Sequence, residues 1–334
     1  MDNPVDFKFI IDALLDNTKP LPPRLLYQLS DLHPDEIVQL TQTWPQIKLE
    51  RRRALLEDMA DLSEDDFLLN YESIGRIGLH DPDAITCVQA IRVLWMDDDQ
   101  HLAAEYINIM QTHADESVRA TAASALGSFV YLGEIEEIPE ILLHTIEDAL
   151  LKATGADKSQ LVRRRALESL GYSMRPEVKG LIQSASASHD SLWLESALFA
   201  MGRSCNTDWE DIILEFLDHE DPEVLSAAVN AAGELMLKNS RVPLLNMLED
   251  EIEDEDLRAE VIWALSQIGG EGVFEALDDL LDASDDEDEI DLIENALENL
   301  NFTEEVSRFD LMDVDFDDED LEDFIGIDNE DEDY

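Results

Sequence analysis

The amino-acid sequence predicts an all-α protein, an α-solenoid of about eight stacked helical hairpins with an N-terminal helical cap. Three observations predict it. A pattern of about 32 residues recurs along most of the chain, each copy opens on a residue suited to begin a helix, and the apolar residues within each copy fall at helical spacing. The copies are "DAITCVQAIRVLW" (83–95), "DESVRATAASALG" (115–127), "SQLVRRRALESLG" (159–171), "DSLWLESALFAMG" (190–202), "DPEVLSAAVNAAG" (221–233), "DEDLRAEVIWALS" (254–266) and "DEDEIDLIENALE" (286–298). Their starts lie 32, 44, 31, 31, 33 and 32 residues apart. A degenerate copy, "LERRRALLEDMAD" at 49–61, precedes the first by 34 residues.

Asp83, Asp115, Ser159, Asp190, Asp221, Asp254 and Asp286 each carry an oxygen that accepts a hydrogen bond from the open N–H groups of a first helical turn. Seven residues on stand Ala90, Ala122, Ala166, Ala197 and Ala228, then Val261 and Ile293. Ten residues on stand Val93, Ala125, Ser169, Ala200, Ala231, Ala264 and Ala296. Small side chains there let neighbouring helices approach closely. Larger residues follow at position eleven, as in Leu94, Leu126, Leu170, Met201 and Leu265, completing an apolar stripe. Second amphipathic stretches such as "AAEYINIM", "EDIILEFL" and "VFEALDDLL" lie between the copies, so the unit is a helical hairpin. One hairpin cannot bury its stripe alone, and its neighbours supply the other wall.

Ahead of the array, "PVDFKFIIDALL" and "PPRLLYQLSDL" read as two helices separated by the breaker "NTKPLPP". The predicted organisation is a helical cap at 1–33, a repeat solenoid at 34–302 and an acidic interaction tail, expected to be disordered, at 303–334. The 44-residue spacing allows about 12 extra residues near "LLKATGADKSQ" (150–160), expected as a longer first helix and loop.

The capping Asp, a Val or Leu three residues on, then Arg (Val118-Arg119, Val162-Arg163, Leu257-Arg258), and the following Ala and "AL-G" resemble HEAT repeats, and the short period resembles the bacterial HEAT-like class. The resemblance covers roughly residues 34 to 302. It implies a ladder of Asp and Arg between neighbouring repeats, matched by Asp115 with Arg119 and Asp254 with Arg258. Leu194 and Leu225 stand where two rungs should be, so the ladder is expected to break there.

The formal net charge is −58, from 80 acidic and 22 basic residues. Phosphate binding draws its affinity from Lys and Arg, so direct binding of DNA or RNA is not expected; a basic protein partner is. Residues 249–334 hold 37 acidic and 2 basic residues, which points to a charged patch or tail more than to the even surface acidity of a halophile. Cys87 and Cys205 form no CxxC, so neither a zinc site nor a disulfide framework is suggested, and a cytoplasmic, reducing setting fits. The opening "MDNPVDFKFIIDALLD" has no signal-peptide pattern, and no run of 18 apolar residues occurs.

His219-Glu220 resembles half of the iron-binding motif of the HEAT-type deoxyhypusine hydroxylases. No other His is followed by Glu, and a lone pair cannot hold such a centre, so these residues are read as a turn with Asp221 as cap and Pro222 at the first helical position. There is no GxSxG, P-loop or GxGxxG. No catalytic residue, metal or cofactor is assigned. The short repeat is shared with the bilin lyases, so an accessory protein of a cofactor- or chromophore-modifying enzyme is one alternative, and an acidic nucleic-acid mimic is another.

The expected function is a non-enzymatic scaffold or adaptor that captures a basic partner on its concave surface and acidic tail. Positions 5, 9 and 13 of each capped helix should line that surface. Position nine reads Arg92, Ser124, Glu168, Phe199, Asn230, Trp263 and Asn295, so Phe199 and Trp263 break a polar row, either as binding anchors or as core. In the tail, Phe309, Leu311, Phe316, Leu321 and Phe324 interleave with 16 acidic residues, a pattern of segments that fold on a basic, apolar groove. "RRR" at 51–53 and 163–165 reads as a ladder Arg with solvated neighbours, or as a dock for that tail.

Overall fold

The computed structural model describes residues 6–66, 68–249, 252 and 254–311, with no side-chain detail for Asp65 or beyond Phe302. Among them are eighteen α-helices, three short 3-10 turns and no strand. The chain divides into two compact units, Met1–Ala231 and Ala232–Tyr334, and the division falls within one helix.

In the first unit, α1 (Phe7–Leu15), α2 (Arg24–Tyr27) and α3 (Pro34–Thr43) precede the array. Every repeat start read from the sequence begins a helix: α4 (Leu49–Asp65), α6 (Ala84–Val93), α8 (Glu116–Glu134), α10 (Gln160–Leu170), α12 (Ser191–Arg203) and α14 (Pro222–Glu234). Between them lie α5 (Glu72–Gly78), α7 (Gln100–Thr112), α9 (Glu140–Ala156), α11 (Pro176–Ser186) and α13 (Glu210–Phe216), of which α5 packs on α6, α7 on α8, α9 on α10 and α11 on α12. The second unit continues with α15 (Arg241–Glu249), α16 (Glu255–Ile268), α17 (Val273–Ala283) and α18 (Glu287–Leu311). The caps form as their chemistry demands: Asp115 accepts from the N–H of Ser117 and Val118, Asp254 from Asp256 and Leu257, and Asp286 from Asp288 and Glu289. Ser159 differs, because its side chain makes no capping bond and its own N–H donates to Asp157 instead.

The small-residue stripe forms the core. Ala90, Ala122, Ala166, Ala197 and Ala228 are fully buried, with Leu126, Leu170, Met201 and Leu265 beside them. Ser169 takes the place of an Ala without leaving a polar group unpaired, since its Oγ donates to the carbonyl of Ala123 on the neighbouring α8 at 2.8 Å. His219 and Glu220 lie in the turn before α14, where His219 Nδ1 accepts the N–H of Asp221 at 3.1 Å.

A ladder does connect repeats, although its rungs differ from those implied. Arg53, from the degenerate copy, grips both carboxylate oxygens of the cap Asp83 in the next repeat at 2.6 and 2.9 Å. Arg119 likewise grips Asp157, and Arg258 pairs with Glu289 at 3.1 Å. The rung that Leu194 was expected to break is replaced, because the Ser191 hydroxyl donates to the next cap, Asp221, at 2.5 Å. Arg163 bonds instead to the carbonyl of Thr154 and lies over the Trp193 ring.

The extra residues of the long spacing enter both helices of one pair. α9 is 17 residues long, as the sequence suggested, but α8 is extended to 19, and the connection after α9 is only 157–159. Helix is the cheaper place for them, since each added residue closes a backbone hydrogen bond that a loop would leave to water.

Candidate protein-binding surface

The long α8 carries the first residue of an exposed aromatic strip. Tyr131 sits 16 residues after the Asp115 cap, on the part of α8 that the shorter α6 and α12 do not have. Its ring meets that of Tyr172, just past the end of α10, with centroids 5.4 Å apart. Tyr172 in turn faces the Arg203 guanidinium at 4.9 Å, and Arg203 lies over the Phe199 ring at 4.0 Å. Phe199 and Arg203 are one turn apart on α12, which places them on one helix face. Three successive capped helices thus contribute a continuous stack of ring, ring, cation and ring, held by quadrupole attraction at each contact. Arg203 also donates to the carbonyl of Glu168 at 3.4 Å, which fixes its height above the helices.

The strip is open to solvent. Tyr131 and Phe199 are 48% and 43% exposed, and Ile135 and Met174 extend the apolar surface beside them. Glu134 ties the Met174 backbone N–H to the end of α8 at 2.8 Å, while Glu136, Glu137 and Glu140 stand exposed around Ile135.

Under the strip lie buried carboxylates that the sequence placed elsewhere. Glu168, expected in the solvent-lining row, is buried, accepting from Ser196 Oγ and Arg165 Nη1, each at 2.6 Å. Arg164, expected to be solvated, is buried too, because it reaches α12 to donate to the Leu192 carbonyl and Ser196 Oγ. Glu147 accepts the Ser173 hydroxyl, and burial pushes its carboxyl above the ordinary range. The other arginine triplet is also engaged: Arg51 donates to the carbonyls of Asp16 and Lys19, Arg52 pairs with Asp81, and Arg53 is a ladder rung. Neither triplet presents the row of open guanidiniums that a dock for an acidic tail requires.

Of the residues singled out in the sequence, Phe199 forms one end of the strip. Trp263, in the second unit, is half-buried with its ring across Gly233, where an added Cβ would come within 2.5 Å of it. Asn295 is exposed. Phe309 and Leu311 belong to the last turns of α18, without described side chains, and Phe316, Leu321 and Phe324 lie outside the described residues. Tyr131, Tyr172 and Arg203 were not singled out. Tyr172 and Arg203 share position 13 of their repeats, a register that the sequence does offer; Tyr131 has no counterpart, since only a lengthened helix reaches it. Among the described residues no three His, Cys, Asp or Glu side chains gather as a metal site, and no helix is long and apolar enough to cross a membrane.

Capped helices stacked by a stripe of small residues, with ladder contacts between repeats, define the chain as an α-solenoid of helical repeats. No protein-family model matches it, and no curated protein matches its sequence. Among solved structures it is similar to YibA of Escherichia coli at 19% identity, covering 86% of this chain and 98% of that one with a TM-score of 0.43. It is also similar to the complex of CpcE and CpcF of phycocyanin lyase from Nostoc sp. (20% identity, 69% and 94% covered, TM-score 0.44). A designed armadillo repeat protein matches at 18% identity, with 59% and 98% covered and a TM-score of 0.37.

Proposed function

We propose that this chain is a non-enzymatic scaffold that captures a basic protein partner, with the Tyr131, Tyr172, Phe199 and Arg203 strip as its anchor and the acidic segment 303–334 as a second contact. The observation that carries this reading is the exposed aromatic stack within a chain of net charge −58. Rigid aromatic side chains bury large area at small entropic cost, which is why they dominate binding energy at interfaces. The outer rings of the strip offer faces on which a partner's Arg or Lys would continue the cation–aromatic alternation. Glu136, Glu137 and Glu140 stand where they would attract such a side chain, and the field of the whole chain would speed its arrival.

The test is capture from a native lysate by the intact chain and by Phe199→Ala with Tyr172→Ala, eluted with rising salt and identified by mass spectrometry. A defined basic protein retained by the intact chain, released by salt and held about tenfold or more weakly by the variant, is the expected result. Equal retention by a folded variant would remove the strip from the interface. A partner that is neutral, or that salt does not release, would end the electrostatic reading.

A further inference from the structure

A second surface of the first unit lies away from the strip, where the C-terminal ends of α4 and α6 meet the start of α5. A cleft of about 800 Å3 opens there, with Leu69, Val93, Trp95 and Met96 among its walls. Trp95 and Met96 are 43% and 79% exposed, so two large apolar side chains stand uncovered at one mouth. The mouth is also strongly acidic. Arg92 is held between Asp61 and Glu64 at 3.2 and 3.3 Å, and Arg76 among Glu72, Asp97 and Asp99, while Asp98 adds a further exposed carboxylate. Of the residues lining the cleft itself, four carboxylates, Glu64, Glu72, Asp97 and Asp98, therefore face one guanidinium, that of Arg92. The partly negative C-terminal ends of α4 and α6 add to the same sign.

Apolar walls under an acidic rim select an occupant by charge as well as by shape. The chain's own C-terminal segment has apolar residues of suitable size, but its 16 acidic residues against Arg308 give it the wrong sign. A second copy of this chain carries the same excess. We infer that the α4–α5–α6 cleft docks a short segment of a partner protein in which one or two bulky apolar side chains are flanked by Lys or Arg. The apolar side chains displace water from Trp95 and Met96, and the flanking cations meet Glu64 and Asp98 at the rim. This deepens the basic-partner reading, on which it rests, by adding a second and separate contact on the same unit. A partner engaging both would gain avidity from a linker alone.

Two fluorescein-labelled peptides, KRLWLKR and EDLWLED, test this by fluorescence anisotropy with the full chain at low salt. The intact chain should bind the basic peptide and not the acidic one. Trp95→Ala with Met96→Ala should weaken that binding about tenfold or more, as should Glu64→Lys with Asp98→Lys. Val242→Ala, at an exposed apolar residue of α15 outside both surfaces, should leave it unchanged. The charge-reversed variant replaces exposed side chains, so it reports on the cleft even if the Trp95 variant unfolds, and thermal melting identifies that case. Equal affinity for the two peptides, no binding of either, or binding that survives both cleft variants would overturn the assignment. Loss of peptide binding with the Phe199 variant alone would move the site to the strip. The lysate capture decides the scaffold reading separately, because it requires a salt-released basic partner whatever the cleft variants do.

Discussion

At Asp81 a buried charge is fully answered. Its carboxylate accepts Trp44 Nε1–H at 2.8 Å and lies 3.0 Å from Arg52 Nε, joining α4 to the turn before α6. Removing it strands a guanidinium and an indole N–H in the interior, so Asp81→Ala should cost about 3–5 kcal/mol, read as a lower urea midpoint at unchanged slope. Asp81→Asn, which keeps an acceptor for Trp44, should cost less. The two cysteines differ in kind. Cys87 is buried against the Asp81 carbonyl, and burial pushes its thiol up to about 11, whereas Cys205 is exposed. A thiol reagent at mildly alkaline pH should therefore modify one cysteine of the native chain promptly and the second only after denaturant is added. Prompt reaction of both would mean that the α6 packing opens readily.

Between helices, glycines separate close approach from open space. A Cβ on Gly171, at the end of α10, would stand 2.8 Å from the Ala200 carbonyl oxygen and 2.9 Å from its Cα, and backbone of α12 cannot step aside as a side chain can. Gly171→Ala should destabilise by about 1–3 kcal/mol. Gly155, within α9, has nothing within 4 Å of the added carbon and ordinary helical backbone. Gly155→Ala should therefore stabilise by about 0.4–1 kcal/mol, since it reduces the freedom of the unfolded chain at no steric cost. Thermal melts of the pair check both signs. Element length also makes the site: the extension of α8 brings Tyr131 and Ile135 to the strip, so the long spacing in the sequence has a place in the surface.

Across the whole molecule, the net charge of −58 sets two salt effects of opposite sign. Like charges repel within the folded chain, so raising salt from about 50 mM to about 1 M should raise Tm as the Debye length shortens from over 10 Å to about 3 Å. The same screening should weaken capture of a basic partner. Stability and affinity measured on one salt series should thus move apart, and a Tm that falls with salt would mean that specific ion pairs such as Arg53 with Asp83 outweigh the general repulsion.

The sequence by itself determined the helical class, the repeat register and the residue at which each capped helix begins. These are local matters: a side-chain oxygen at the N-cap, small and large apolar residues at 3.6-residue spacing, and breakers between them act within one turn or one hairpin. It also exposed Phe199 as an aromatic residue in a polar row. Tertiary structure decided what lies across that row. Burial of Glu168 and Arg164 against Ser196, replacement of the expected Leu194 gap by Ser191 with Asp221, and the meeting of Tyr131 with Tyr172 and of Tyr172 with Arg203 all join residues about 30 or more apart in the chain. The α4–α5–α6 cleft is of the same origin. Such contacts depend on how far each helix runs and how closely its neighbour packs, and a shift of one turn would have paired other side chains.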